Sequence, residues 1–322
     1  MVDDVEIKYG VGALLYSPAL NGKIANSVID EKFGKQYSLA LCLEDTVADE
    51  YVNEAEDILY KTISTIFEAK KNHTFYLPKF FIRVRKPEQL LRVYSSLGES
   101  ASIITGFIFP KYCPENMERY NRYMRQINRK ADHTVYMMPT LESKDIVDYR
   151  TRQTTLFAIK DSIDSVRDYV LNVRVGGNDF SNEFSVRRHY DETIYDILPI
   201  GQLLAEILTI FSREYIVSGP VWEFFSSDNN EWKEGLMREV ARDRLNGFVG
   251  KTVIHPKQIE IVNEAFKVSR KDYEDAKTIL NWDESAGLQV GKSSGGERMN
   301  EVKTHGNWAL KTIMLAQIYG IS

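Results

Sequence analysis

The sequence has little cysteine, which excludes two kinds of architecture. Only two of its 322 residues are cysteine, Cys42 within an apolar run and Cys113 in a predicted loop. Two distant cysteines supply neither a disulfide framework nor a zinc site built on cysteine. This usage suits a reducing compartment, so we expect a cytoplasmic protein. Cys113 could be a nucleophile, but no partner lies near it in sequence, and an ordinary loop cysteine is the favoured interpretation.

Histidine clusters, long apolar runs and net positive charge are missing as well. The five histidines form no H-x-x-x-H or similar cluster, which argues against zinc. No stretch reaches the roughly 20 apolar residues that span a bilayer, and the opening MVDDVEIKYG lacks the regions of a signal peptide. A formal net charge of −5 does not indicate the excess of positive charge that binds nucleic acid or anionic lipid. We therefore expect a soluble globular protein with no nucleic-acid or membrane partner.

The chain does have a repeated alternation of short apolar runs with segments of helical apolar spacing. Buried parallel strands are near-continuous apolar runs, and right-handed crossovers place the helices outside them. Eight such units predict an α/β fold, a closed (β/α)₈ barrel. The predicted strands are 12–16, 39–43, 80–84, 106–109, 134–138, 171–175, 215–218 and 248–254.

The end of the chain differs from this pattern. A helix at 256–266 completes the barrel, and beyond it 271–282 and 305–319 are predicted helices on either side of a Gly- and Ser-rich segment, 284–296. We predict a barrel catalytic domain over 1–268 and a C-terminal extension over 269–322, with a flexible loop and a terminal helix.

Ionisable residues stand where the predicted strands end, and the carboxyl ends of the strands carry the chemistry in barrels of this kind. Any one of these residues would more often cap a helix or face solvent. Five successive strand ends that gather charge in one cleft instead favour a functional site. In strand order they are Glu44 with Asp45, Arg83, Lys111, Glu142 and Asp179.

Glu142 and Asp179 are isolated oxygen ligands on adjacent predicted strands, with no histidine at a ligand spacing. This pattern favours Mg²⁺ (magnesium), which takes one or two carboxylates and completes its coordination with water and substrate oxygens. His255, before Pro256 at the end of the eighth strand, is predicted to be a hydrogen-bonded rim residue.

Motifs along nearly the whole chain support a family resemblance. They are LLYSPALN, LCLEDTVAD, FIRVR, FPK, PTLES, GGNDFS and GFVGKTVIHPKQIEIVNEAF. Together they resemble the citrate lyase β-subunit and malyl-CoA lyase group of the HpcH/HpaI aldolase superfamily, and within it the citrate-lyase-like proteins of tellurite-resistance and stress operons.

This resemblance implies a TIM barrel of the phosphoenolpyruvate/pyruvate type and a Mg²⁺-dependent carbon–carbon lyase that acts through an enolate. It implies that Glu142 and Asp179 bind the metal and that Arg83 binds a carboxylate or oxyanion of the substrate. Glu44 and Asp45 would orient Arg83 or form a structural ion pair with it. Lys111 would neutralise charge beside the metal or form a salt bridge; the metal acids argue against a Schiff base.

In the family, the tail crosses to a neighbouring subunit and delivers an acid, which implies a homotrimer or hexamer. The matching segment here, GERMNE, ends in Glu301, a catalytic acid or base if it reaches the next barrel and a solvent-exposed residue otherwise. Arg85 and Lys144 depart from the family pattern, as do Asn178 and the longer Glu301. We interpret them as adding positive charge near the mouth, which predicts a strongly anionic, for example phosphorylated, substrate and weighs against a CoA thioester.

The alternative to an enzyme is a non-catalytic barrel that binds a metabolite or nucleotide in a biosynthetic complex. The nucleotide version has one weak motif, Gly291-Lys292-Ser293, which resembles the end of a phosphate-binding loop. The first glycine of that loop would be at position 286, which is Ala286, and no strand precedes it. Turnover of an oxo or hydroxy acid would separate the two readings.

Overall fold

Eight parallel strands form at the apolar runs of the chain in a computed structural model, which describes residues 2–282 and 287–322. Residues 283–286, which include Ala286 and the start of the predicted Gly/Ser-rich segment, lie outside the described residues. The eight strands are β1 Ala13–Pro18, β2 Ser38–Cys42, β3 Lys79–Arg83, β4 Ile104–Phe109, β5 Tyr136–Leu141, β6 Val173–Val175, β7 Val217–Ser218 and β8 Lys251–Val253.

The strands form a barrel. Neighbouring strands pair in the order β7-β6-β5-β4-β3-β2-β1-β8, so each is flanked by the strands that precede and follow it in the chain. A parallel bridge between Gly219 and Lys251 brings the ends of this order together, and Val249 N–H donates to the Val217 carbonyl beside it. The predicted (β/α)₈ barrel is confirmed.

Helices lie before the first strand, between the strands and after the last one. Each helix predicted from the sequence is present to within a few residues, and further helices occur where none was predicted. No helix in the described ranges is both long and apolar enough to cross a membrane. The helices are α1 Val2–Tyr9, α2 Ile24–Ile29, α3 Val52–Asn72, α4 Pro87–Ser96, α5 Met117–Asn128, α6 Lys144–Val147, α7 Arg152–Asp164, α8 Gly177–Glu183, α9 Leu198–Phe211, α10 Glu231–Asn246, α11 Lys257–Phe266, α12 Arg270–Leu280 and α13 Val302–Tyr319.

Burial explains why the strand ends are held in fixed positions. In β3 the consecutive side chains Phe80, Phe81 and Ile82 are all fully buried, as expected for a parallel strand covered on both faces. In α3, Leu59 and Ile63 are spaced four residues apart and form part of a continuous buried stripe. Each charged residue at a strand end therefore extends from a rigid, apolar element.

The chain divides into two compact units, one formed by Val11–Val262 and the other by Met1–Gly10 with Asn263–Ser322. The first contains the barrel. In the second, α12 and α13 pack together around small and branched apolar side chains, including Ala276 and Ala309. Two short antiparallel strands, β9 Val290–Lys292 and β10 Met299–Glu301, form a hairpin where the sequence predicts only a loop.

Candidate functional site

Six of the seven predicted catalytic and metal-binding residues lie at the carboxyl end of the barrel. Glu44 and Asp45 directly follow the loop residue after β2, Arg83 is the last residue of β3, and Glu142 comes immediately after β5. Two further members follow at a short distance, Lys111 after β4 and Asp179 in the first turn of α8.

Arg83 is the centre of the charged cluster. Its Nη2 lies 2.7 Å from Glu44 Oε2, 3.1 Å from Asp45 Oδ2 and 3.2 Å from Glu142 Oε1. Burial opposes the charge of Arg83, but Glu142 and the other neighbouring acids raise its pKa. One guanidinium thus ties the ends of β2, β3 and β5 together.

Lys111 contributes its backbone as well as its side chain. It has a left-handed conformation, with φ of 47°, and its N–H donates to Glu142 Oε1 at 2.9 Å. Its Nζ donates to Glu44 Oε1 at 2.7 Å and to Asp45 Oδ1 at 3.3 Å. Burial opposes it, yet the hydrogen bond to Glu44 and the nearby carboxylates raise the pKa of Lys111. An ammonium held in this way is a salt-bridge partner, and a Schiff base would require the neutral amine.

Glu142 is a buried carboxylate that lacks a full counter-charge. Burial and, after the opposing effect of Arg83, the negative charge of Asp179 raise the pKa of Glu142 to about 8. Its Oε1 accepts from Lys111 N–H and Arg83, whereas its Oε2 points at Gly176, just before α8. A Cβ at Gly176 would lie 2.1 Å from that oxygen, so only glycine allows the carboxylate to take this position.

The pair Glu142 and Asp179 suits a hard divalent cation. A cation between them would offset both the burial of Glu142 and its repulsion by Asp179. Within the described ranges, no three His, Cys, Asp or Glu side chains are arranged to hold a metal. Two carboxylates with most positions left to water and substrate are the arrangement typical of Mg²⁺ in enzymes.

The cluster opens onto a cleft of about 230 Å³, large enough for a small organic acid. Its lining includes Arg83, Glu142 and Asp179 from the predicted set. It also includes Arg174, which the sequence analysis did not select. The available signal was a charged residue in the middle of the apolar run VRV, at a depth where barrel interiors are normally apolar.

The cations that depart from the family pattern do not add free charge to this cleft. Arg85 donates from Nη1 to the carbonyls of Leu43, Glu44 and Val47, and its Nη2 pairs with Asp49. Arg85 therefore stabilises the loop after β2 by binding its backbone.

Lys144 lies 3.5 Å from Glu183 and has a side chain that is 84% exposed. Neither Arg85 nor Lys144 is among the residues that line the cleft, and each has a carboxylate partner. Their selection of a more anionic substrate stays a prediction. Asn178, the neutral departure, is exposed and lines the cleft.

Glu301 belongs to the second compact unit. It is the last residue of β10, directly before α13. Its Oε2 accepts from the Thr304 hydroxyl at 2.7 Å, and its N–H donates to His305 Nδ1 at 2.9 Å. These contacts fix it at the start of α13, and its catalytic role stays a prediction.

Known sequences are similar to this chain. The family model described as C–C bond lyase of the TIM-barrel fold matches residues 6–321. The citrate lyase subunit beta of Haemophilus influenzae is 43% identical over 56 residues, 17% of this chain and 19% of that protein. The L-malyl-CoA/beta-methylmalyl-CoA lyase of Cereibacter sphaeroides is 37% identical over 79 residues, 24% of this chain and 21% of that protein. The chain thus matches about a fifth of the length of each relative.

Solved structures share the fold over nearly the whole chain. A citrate lyase from Burkholderia xenovorans gives a TM-score of 0.70 at 13% identity, over 97% of this chain and 93% of that one. The protein CitE from Mycobacterium tuberculosis, in complex with magnesium, acetoacetate and coenzyme A, gives a TM-score of 0.60 at 16% identity, over 96% of this chain and 99% of that one.

Proposed function

Since the chain belongs to the family of C–C bond lyases of the TIM-barrel fold, we propose that it cleaves or forms a C–C bond in a small 2-oxo or 2-hydroxy acid and requires Mg²⁺. The observation that carries the proposal is the buried carboxylate of Glu142, whose pKa stays raised by burial and by Asp179 even though Arg83 lies 3.2 Å from it, in a cleft that both acids line. The magnesium bound by the similar CitE protein supports the choice of metal.

Glu142 and Asp179 would hold the metal, which supplies Lewis acidity toward the carbonyl oxygen where negative charge develops as the bond breaks. The chain's own residues prepare this site. Lys111 N–H and Arg83 fix Glu142 Oε1, which leaves Oε2 directed toward the helix of Asp179. The carboxylate is therefore positioned before any ligand arrives.

Arg83 has a second task in this proposal. Its Nε is buried and has no hydrogen-bond partner among the described residues, so this N–H is available to an oxyanion of the substrate. Glu44 and Asp45 hold the opposite end of the guanidinium, and Lys111 balances their charge. In this proposal Glu44, Asp45 and Lys111 hold Arg83 in position. Arg83 itself contacts the substrate.

The test of the function is turnover. Purified protein with Mg²⁺ is incubated with a panel of 2-oxo acids, 2-hydroxy acids and acyl-CoA thioesters, and products are detected by mass spectrometry. We expect C–C cleavage or condensation for one class, its loss on addition of EDTA and its recovery with Mg²⁺. Tight acid binding without turnover of any compound would instead favour the non-catalytic barrel.

We also propose that the C-terminal extension delivers Glu301 to the barrel of a neighbouring subunit in a homotrimer or hexamer. The support is the family pattern of the GERMNE segment and the hydrogen bonds that fix Glu301 at the start of α13. If this is correct, mixing inactive Glu142→Gln protein with inactive Glu301→Gln protein under exchange conditions restores part of the activity. One intact site then forms from a Glu142 barrel and a Glu301 tail.

The matched control for this mixture is Glu297→Gln, a change in the same hairpin that removes only the exposed ion pair with Lys271. It should keep full activity alone. A mixture of the two inactive variants that stays inactive, while native mass spectrometry shows mixed oligomers, would count against delivery in trans.

A further inference from the structure

Arg174 is a buried cation that the mechanism above leaves unused. It lies in the middle of β6, is 2% exposed and lines the cleft. Its Nη2 donates to the Thr252 hydroxyl at 2.6 Å, whereas its Nη1 has no hydrogen-bond partner among the described residues. The titratable groups that act on it are Tyr16, which also hydrogen-bonds to it, and Arg83, and neither is a carboxylate. A buried charge without a counter-ion is strongly unfavourable and calls for an explanation.

The strands on either side of β6 carry further unpartnered polar atoms at the same level. Thr140 on β5 and Ser218 on β7 are the register partners of Arg174. Both hydroxyls are buried and, within the described ranges, have no hydrogen-bond partner. Residues in register on neighbouring strands point to the same side of a sheet, so the three side chains form one layer. Barrel interiors are normally filled by branched apolar residues at such a level.

The other cation that lines the cleft is already neutralised. Arg83 Nη2 lies within 3.2 Å of three carboxylates. At Nη2 of Arg83 an anion must compete with those acids, which leaves only Nε available, whereas no carboxylate pairs with Arg174. The guanidinium fork of Arg174 is thus the more favourable anchor for an incoming carboxylate.

We propose that Arg174, together with the Thr140 hydroxyl, which also lines the cleft, binds a free carboxylate of the substrate. Because Arg174, Glu142 and Asp179 line one cleft of about 230 Å³, the remaining oxygens of the same small acid face the two metal-site acids. The substrate class is therefore a short dicarboxylate, with one carboxylate at Arg174 and the other oxygen functions at Glu142 and Asp179. The inference rests on the proposed function for the reaction, whereas acid binding at Arg174 needs no metal.

The experiment compares wild type with Arg174→Met and Arg174→Lys by isothermal titration calorimetry in EDTA. The ligands are malate, pyruvate and inorganic phosphate. We expect malate to bind wild type and to bind Arg174→Met at least about tenfold more weakly. Arg174→Lys should bind malate with intermediate affinity, because lysine keeps the positive charge but lacks the paired N–H donors of the guanidinium. Lys144→Gln removes an exposed cation that already pairs with Glu183, so it serves as the control and should leave malate affinity unchanged.

Thermal stability separates a binding role from a structural one. Arg174→Met removes a buried, unpaired charge while keeping an unbranched side chain, so its melting temperature should equal or exceed that of wild type. A structural arginine would give a lower melting temperature in Arg174→Met and unchanged malate binding in Arg174→Lys, and that pair of results would overturn the inference.

Two further results would also overturn it. One is equal malate affinity in wild type and Arg174→Met, or no malate binding to wild type at all. The other is tighter binding of inorganic phosphate than of malate, which would make the layer a phosphate site. Failure of the proposed function is distinguishable, because it would appear as wild-type protein that binds malate but neither binds Mg²⁺ nor turns over any acid.

Discussion

Glu142→Gln and Asp179→Asn should each bind Mg²⁺ at least about 100-fold more weakly than wild type and lose activity, because loss of even an outer partner of a metal ligand costs 10- to 100-fold in affinity. Both substitutions keep the size of the side chain and remove only its charge. Calorimetric titration with Mg²⁺ measures the effect directly.

The fold should survive the change at Glu142. With its pKa raised to about 8 by burial and by Asp179, metal-free Glu142 is mostly protonated at neutral pH, so glutamine closely imitates the state already present. The amide oxygen can still accept from Lys111 N–H, and Arg83 keeps Glu44 and Asp45. Circular dichroism and the melting temperature should therefore match those of wild type.

Glu183→Gln is the control for both variants. Glu183 ends the helix that carries Asp179 and pairs with the exposed Lys144, so the change removes a carboxylate near the site without touching the proposed ligands. It should bind Mg²⁺ as wild type does. Unchanged Mg²⁺ affinity in Glu142→Gln or Asp179→Asn would refute the assignment of the metal site.

The sequence was sufficient to predict the barrel and the family, and both were confirmed. Short apolar runs predict buried parallel strands well because both faces are covered. The residues at which the strands end were harder to predict. The predicted fifth strand stops at Met138, before Pro139, yet β5 continues to Leu141, because the fixed φ of proline is compatible with extended backbone. That extension places Glu142 directly at the strand end.

Which cations are free could not be predicted, because their partners are distant in the chain. Arg85 is neutralised by Asp49 and by carbonyls of the loop after β2, about 40 residues away. Arg174 donates to Thr252, which lies 78 positions later in the chain. The sequence analysis therefore attributed the positive charge near the mouth of the barrel to Arg85 and Lys144. In the structure, the cleft arginine without a carboxylate partner is Arg174.

The hairpin of β9 and β10 was also missed. Gly and Ser in its loop predict an irregular segment. Tertiary contacts stabilise it instead: Arg298 donates to Asp275 Oδ2 at 2.8 Å, and Asp275 Oδ1 accepts from Ser294 N–H at 2.7 Å. Local sequence patterns do not contain such contacts.

Mg²⁺ affinity should rise with pH up to about pH 8 and then level off. The metal binds the ionised carboxylate, and the pKa of Glu142 is about 8 in the metal-free protein because of burial and Asp179. Below that pH each binding event releases a proton, so affinity changes by up to about tenfold per pH unit. Titrations between pH 6 and pH 9, in buffers of different ionisation enthalpy, measure both affinity and proton release.

The same carboxyl links pH to stability in the absence of metal. The folded-state pKa of Glu142 lies above the ordinary glutamate value of 4.5, so between about pH 4.5 and pH 8 the folded protein holds a proton that the unfolded chain releases. This contribution to the free energy of unfolding is complete below pH 4.5 and is lost as pH rises to about 8, on the order of 1 kcal/mol per pH unit. Mg²⁺ should therefore raise the melting temperature little at pH 6 and strongly at pH 8, and Glu142→Gln should remove that difference. A Mg²⁺-induced shift in melting temperature that is equal at both pH values would contradict the buried Glu142 as the linked group.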